Sequence, residues 1–268
     1  MFTAPISGYA ARDNPLSLEV KLMSHWPIFV ISLADAGARR ASLLRSLDAL
    51  GLEWELFEAV DGRRGLGPVW ESLIDREGAA QAMGRPLTNG EFGCALSHRG
   101  ICEIILQRGL AGVIVLEDDA IIGPDFERFV REELYHTAPL VMLDHSHARV
   151  SRFKRTTLPV GELRYLTLPS CLTTGYSVNA SAAAELLKAA TPVRMAADWP
   201  GDIVALGAAV ITPQIVNHPP ADTATSHLEG ERNKFRPEGS SLQRFVKRWS
   251  NLSYWQRWLT KRLSIRVS

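Results

Sequence analysis

Three consecutive acids, Glu117-Asp118-Asp119, end an apolar run, Gly112-Val113-Ile114-Val115-Leu116. A Val/Ile-rich run of this length predicts a strand buried on both faces. Carboxylates crowded at the end of such a strand repel one another and lose hydration. A divalent cation removes that penalty, and oxygen ligands suit Mg²⁺ or Mn²⁺. Strand ends in open α/β sheets are also where ligands usually bind. The pattern points to a metal-assisted site for a phosphate-bearing substrate. A solvated acidic turn is the alternative reading of the same residues.

Other residues carry weaker chemistry. Ser32 and Leu33 close an earlier apolar stretch and precede Arg39 and Arg40. Backbone amides at a strand end and a nearby arginine can hold a base and a phosphate; two solvated arginines are the plainer reading. Asp61-Gly62 offers a carboxylate for a ribose hydroxyl, or simply a turn. Gly90-Glu91-Phe92-Gly93 opens a helix with two glycines, which costs helix propensity unless something approaches the backbone closely. His98 on that helix can donate to a phosphate or sugar, or serve the core. Asp198 and Asp202 are spaced i, i+4; either can act as a general base when buried, or merely complement a helix dipole. Neither a Gly-x-Gly-x-x-Gly segment nor a P-loop follows the first strand, which argues against a dinucleotide fold.

The elements that must position these residues follow from periodicity. Strands are expected at 27–33, 54–60, 112–117, 139–143, 171–178 and 209–216, with a hairpin over 150–168. Helices are expected at 36–50, around 69–83, from Thr88 to 107, and at 124–135, 181–190 and 198–206. Thr88 and Glu91 have capping-box spacing. Strand–helix–strand order over 27–60 is the unit of a parallel sheet.

The 268 residues, 46% of them hydrophobic, suffice for one large α/β domain. Net charge is +1, but residues 240–268 hold seven Lys/Arg and no acid, leaving 23 basic against 29 acidic residues before them. Three cysteines, Cys94, Cys102 and Cys171, fit no zinc spacing and suit a reducing compartment. The start lacks a signal-peptide pattern and no apolar run reaches membrane-span length, so a cytoplasmic protein is expected.

Taken in order, Leu33 to Arg40, Ala59-Val60-Asp61-Gly62, the block from Leu87 to His98 and Leu116-Glu117-Asp118-Asp119 resemble glycosyltransferase family 25. Thr174-Gly175-Tyr176-Ser177-Val178, the Ala183-Ala184-Glu185-Leu186-Leu187 helix and Ala197-Asp198-Trp199 extend the resemblance over roughly 27 to 230. Where the family usually has Asn-Leu and then Asp-Arg, this chain has Ser32-Leu33 and then Arg39-Arg40. The resemblance implies a GT-A-like, Rossmann-type α/β fold with a mixed, mostly parallel central sheet flanked by helices. It implies an inverting transfer of galactose from UDP-galactose to a saccharide or lipid-linked acceptor in cell-surface glycan synthesis. UDP-glucose or a UDP-N-acetylhexosamine donor, or a non-catalytic scaffold, are the alternatives. Glu117 and Asp119 are then the expected Mn²⁺ (or Mg²⁺) ligands, with His218 as a third. Ser32, Leu33, Arg40, Asp61, Gly62, Glu91, His98 and Asp118 are expected on the nucleotide sugar. Asp198 is the first candidate base, with Asp202 and Asp144 in reserve.

The chain divides into a leader (1–26), a catalytic domain (27–239) and a basic tail (240–268). In the tail, Leu242, Phe245, Val246 and Trp249 form one apolar stripe, and Leu252, Trp255, Leu259 and Leu263 another. Interleaved with bases, such stripes suit an interfacial helix on anionic lipid at the inner membrane face; a helix docked on the protein is the alternative. Nothing else supports nucleic-acid binding.

Overall fold

The computed structural model describes residues 25–219 and 258–268, except Leu259. Most of the expected leader and tail residues 240–257 lie outside the described residues. The first half of the fold contains β1 (Ile28–Ser32), α1 (Gly37–Ala49), β2 (Trp54–Glu58), α2 (Pro68–Glu71), α3 (Arg76–Met83), α4 (Asn89–Gln107) and β3 (Gly112–Glu117). Then come β4 (Ile121–Ile122), α5 (Phe126–Arg131), β5 (Leu140–Met142), β6 (Arg149–Leu158) and β7 (Gly161–Leu168). The last are β8 (Gly175–Asn179), α6 (Ala180–Ala189), β9 (Ala209–Thr212), β10 (Val216–Asn217) and β11 (Ser264–Arg266).

Nine strands form one sheet in the order β11-β6-β7-β9-β5-β8-β3-β1-β2. β1 pairs in parallel with β2 on one side and β3 on the other. The pairings make β1, β2, β3, β5, β6 and β9 run in one direction and β7, β8 and β11 in the other. The sheet is therefore mixed and mostly parallel, flanked by helices on both faces. The chain leaves β1 in one direction for β2 and later returns on its other side as β3. That reversal opens a crevice at the ends of β1 and β3.

Both faces of the central strands are covered, which explains their unbroken apolar runs. Ile28, Val30, Ile114 and Leu116 pack with Leu43 and Leu47 of α1. Their alternates, Phe29, Ile31, Val113 and Val115, pack with Ile101, Cys102 and Ile105 of α4. Gly51, at φ 63°, ends α1, and Gly109, also at φ 63°, ends α4. The Thr88–Glu91 capping box is complete.

Two expectations change. Residues 198–206 are turns, not a helix. Pro200 and Gly201 break the first turn, and Ile203 is buried by tertiary packing instead. In the tail, helix stops at Leu263 and the chain returns to the sheet as β11, antiparallel to β6. His145 Nε2 donates to the Ile211 carbonyl, so its Nδ1 accepts from the Ser268 hydroxyl, 3.0 Å away. No helix among the described residues is long and apolar enough to cross a membrane.

Candidate active site

The crevice is a cleft of about 320 Å³. β1 delivers Ser32 and Leu33, α1 Arg39, and β3 with the next two residues Glu117, Asp118 and Asp119. The loop after β2 brings Asp61, Gly62 and Arg63, and α4 brings Gly90, Cys94, Ser97 and His98. Leu172-Thr173-Thr174 before β8 and Ala197-Asp198 complete the wall.

Local packing explains this convergence. A Cβ on Gly62 would lie 2.0 Å from the Asn89 carbonyl oxygen, and one on Gly93 would lie 2.5 Å from that of Val60. Gly62 of the loop after β2 and Gly93 of α4 therefore let the two backbones approach closely. Ser97 fastens the contact, accepting from the Val60 amide at 2.9 Å and donating to the Gly93 carbonyl at 2.7 Å. Antiparallel pairing of β3 with β8 sets Thr173 beside Glu117. Its hydroxyl donates to Glu117 Oε1 at 2.7 Å. His98 spans the gap, with Nε2 3.2 Å from Glu117 Oε1 and Nδ1 2.9 Å from the Tyr176 hydroxyl.

The acids differ in their partners. Asp118 is buried, accepts from Ser32 Oγ at 2.9 Å and faces Arg39 Nε at 2.8 Å. Arg39 Nη2 also reaches Asp119 Oδ2 at 2.6 Å. Asp119 Oδ1 is buried and has no hydrogen-bond partner. Burial pushes the Asp118 and Asp119 carboxyls above the usual range, against the pull of Arg39. Burial acts the same way on Glu117, but its hydrogen bonds to His98 and Thr173 and the charges of His98 and Arg39 together hold it below its ordinary value. An orphaned buried carboxylate oxygen beside two further acids is a donor set that fits a divalent cation.

Asp198 is exposed on the cleft wall and accepts from the Leu172 amide through Oδ1 at 3.0 Å. Leu172 at φ 84° and Trp199 at φ 70° bracket this contact in the left-handed region. For bulky residues that is strain, which packing must enforce. Asp61 lies at the rim, where Arg63 lowers its carboxyl to about 2. Arg63 also bridges to Asp35 at 2.8 Å.

The cleft thus collects Ser32, Leu33, Asp61, Gly62, His98, Glu117, Asp118, Asp119 and Asp198. Five other expected residues, Arg40, Glu91, Asp144, Asp202 and His218, fall outside its lining. Arg40 is spent on β1, donating to the Leu33 carbonyl at 2.9 Å and to Ser32 Oγ at 3.2 Å. Glu91 is buried by its capping role and by Arg85, 2.6 Å away. Asp202 caps the turn that replaces the expected helix, accepting from the Val204 and Ala205 amides. His218 Nδ1 is 2.7 Å from Asp144 Oδ2. Asp144 itself is fully buried and receives Gln214 as well. Thr173 and Tyr176 had no assigned role, and Arg39 had only the phosphate-holding role offered to it and Arg40 alike. Helical phase favours neither Arg39 nor Arg40, and the other two join the site only through strand pairing.

An acid-lined cleft at the switch point of a mixed α/β sheet defines the class: an α/β protein of the Rossmann-like kind. The family model for glycosyltransferase family 25 (LPS biosynthesis protein) matches residues 25–172, and the chain belongs to that family. It is 35% identical to the mouse (Mus musculus) inactive glycosyltransferase 25 family member 3, over 56% of this chain and 25% of that protein. It is 32% identical to Xenopus laevis procollagen galactosyltransferase 1-A, over 65% of this chain and 30% of that protein. The aligned part thus spans about a quarter to a third of these relatives' length. A solved sucrose complex from Bacillus anthracis overlays with a TM-score of 0.32 and 12% identity, covering 60% of this chain and 74% of that one. That distance carries no argument.

Proposed function

We propose that this chain transfers a hexose, galactose first among candidates, from a UDP-sugar to a saccharide or lipid-linked acceptor. The supporting observation is the convergence of Ser32, the Glu117–Asp119 triplet and Asp198 on one cleft, with Asp119 Oδ1 left unpartnered. Asp119 and Glu117 are the residues that would hold Mn²⁺ or Mg²⁺. Such an ion supplies Lewis-acid stabilisation for charge on a departing diphosphate. Ser32 orients Asp118, and the end of β1 with Asp61 faces the nucleoside. Asp198, fixed through Oδ1, takes the acceptor hydroxyl proton with its other oxygen.

Relatives named inactive favour a second reading, a nucleotide-sugar-binding subunit without turnover. The retained acid triplet opposes it. Attachment to an anionic inner-leaflet surface belongs to the same proposal: Phe153, Trp258 and Leu263 are exposed beside the basic β6 and tail residues. Incubating the protein with a panel of UDP-sugars and Mn²⁺ separates the readings. The transferase reading expects release of UDP from one sugar, accelerated by acceptor. Binding without release from any donor leaves the scaffold. No binding of UDP with Mn²⁺ removes both.

A further inference from the structure

A second group of donor atoms opens on the cleft, chemically unlike the acid triplet. Cys94 and His98 stand one turn apart on α4 and share a face. Glu117 meets them from β3. One donor atom from each of the three lies within 4.8 Å of the other two. The closest pair, His98 Nε2 and Glu117 Oε1, is 3.2 Å apart. Zinc bonds of about 2.0–2.1 Å in a tetrahedron put neighbouring N and O ligands roughly 3.3 Å apart. That pair therefore already has a ligating separation.

The outer groups match too. A metal-bound histidine usually donates its other ring nitrogen to an oxygen, and a ligating carboxylate is itself hydrogen-bonded. His98 Nδ1 has the Tyr176 hydroxyl at 2.9 Å, and Glu117 has Thr173. Cys94 is half-buried, lines the cleft and is not in a disulfide. A thiolate and an imidazole select softer cations than an all-oxygen set does.

We propose that Cys94, His98 and Glu117 form a site for a thiophilic divalent cation of the zinc class. Binding releases to solvent the Cys94 thiol proton and the proton His98 carries on Nε2, whose lone pair takes the metal while Nδ1–H donates to Tyr176. Three protein ligands leave a coordination position facing the cleft. Because Glu117 is shared with the acid triplet, a soft cation here withdraws it from Mn²⁺. That consequence rests on the glycosyl-transfer reading; the binding itself does not.

The test titrates the reduced, full chain with Co²⁺ alone and follows cobalt–thiolate charge-transfer absorption. A band saturating at one equivalent and bleached by Zn²⁺ is expected. It should vanish in Cys94→Ser, persist in Cys171→Ser, and need about 10-fold more Co²⁺ in Tyr176→Phe. No thiolate band, or one that survives Cys94→Ser, overturns the site. Should Cys94→Ser fail to fold, alkylation of the wild-type protein decides. Zn²⁺ is expected to slow modification of Cys94 relative to Cys171, and an unchanged Cys94 rate overturns the site equally.

Discussion

At the end of β5, Asp144 pairs with His218; at the end of β3, Glu117 pairs with His98. Both carboxylate–histidine pairs lie at the carboxyl ends of strands that run the same way in one sheet. Asp144 is completely enclosed, and each oxygen has a partner at 2.7 Å, Gln214 Nε2 and His218 Nδ1. The acids after β3 are left incomplete. Asp119 keeps a buried oxygen without a partner, and burial raises both Asp118 and Asp119. A satisfied acid holds a scaffold together, whereas an unsatisfied cluster stores a cost that a ligand can relieve. The same residue types at the same end of the sheet thus divide between a satisfied scaffold and an unsatisfied cluster.

The sharpest way to break this comparison is to mutate one acid of the cleft and one of the enclosed scaffold. Asp198→Asn should lower transfer roughly 10³-fold, about 4 kcal/mol of barrier, with UDP affinity unchanged. Retained turnover, or lost UDP binding, would remove it as the base. Asp144→Ala should do the opposite. It strands Gln214 and His218 and costs about 3 kcal/mol, roughly 6–12 °C in melting temperature. Turnover per folded molecule should stay the same. A weakened response to Mn²⁺ in that variant would instead move His218 and Asp144 into the metal set.

The frame of this division was legible in the sequence because it rests on local signals. Continuous apolar runs marked β1 and β3, Thr88 and Glu91 marked the start of α4, and three acids marked a strand end. Non-local signals were not legible. Arg39 and Arg40 are adjacent on α1, and only the finished packing turns Arg39 toward Asp118 and Asp119. Thr173 meets Glu117 through antiparallel pairing across more than fifty residues. Glu91 carried two compatible readings, cap and ligand, and Arg85 completes the first. The i, i+4 spacing of Asp198 and Asp202 had meaning only on a helix, and turns stand there instead.

The scaffold beneath the cleft can be stressed without touching an acid. Gly62→Ala forces a methyl to 2.0 Å from the Asn89 carbonyl oxygen and 2.8 Å from the Gly90 nitrogen. Both are backbone atoms at the start of α4, so relief requires moving the loop after β2. A loss of about 2 kcal/mol is expected by chemical denaturation. Gly67→Ala, where a Cβ meets nothing within 4 Å, should stay within about 0.5 kcal/mol of the parent. Equal behaviour of the two variants would mean the loop yields freely and does not fix Asp61.

The smallest effect has a distinctive sign. Asp119 has its carboxyl raised from 3.8 by burial, against Arg39. The folded chain therefore binds this proton more tightly than the unfolded chain, and the group's contribution to stability falls as pH rises from 3.8 through the raised value. At neutral pH, without metal, the ionised carboxylate costs stability. Asp119→Asn should then raise the melting temperature of the metal-free protein at pH 7. The gain should shrink as pH falls toward 3.8, where the wild-type carboxyl becomes neutral too. Adding Mn²⁺ should reverse the ranking, because only the wild type retains the charge that holds the ion. Melting curves with and without Mn²⁺ across this pH range check all three expectations. An Asn variant that is less stable at pH 7 without metal would show that the Arg39 pairs outweigh the cost of burial.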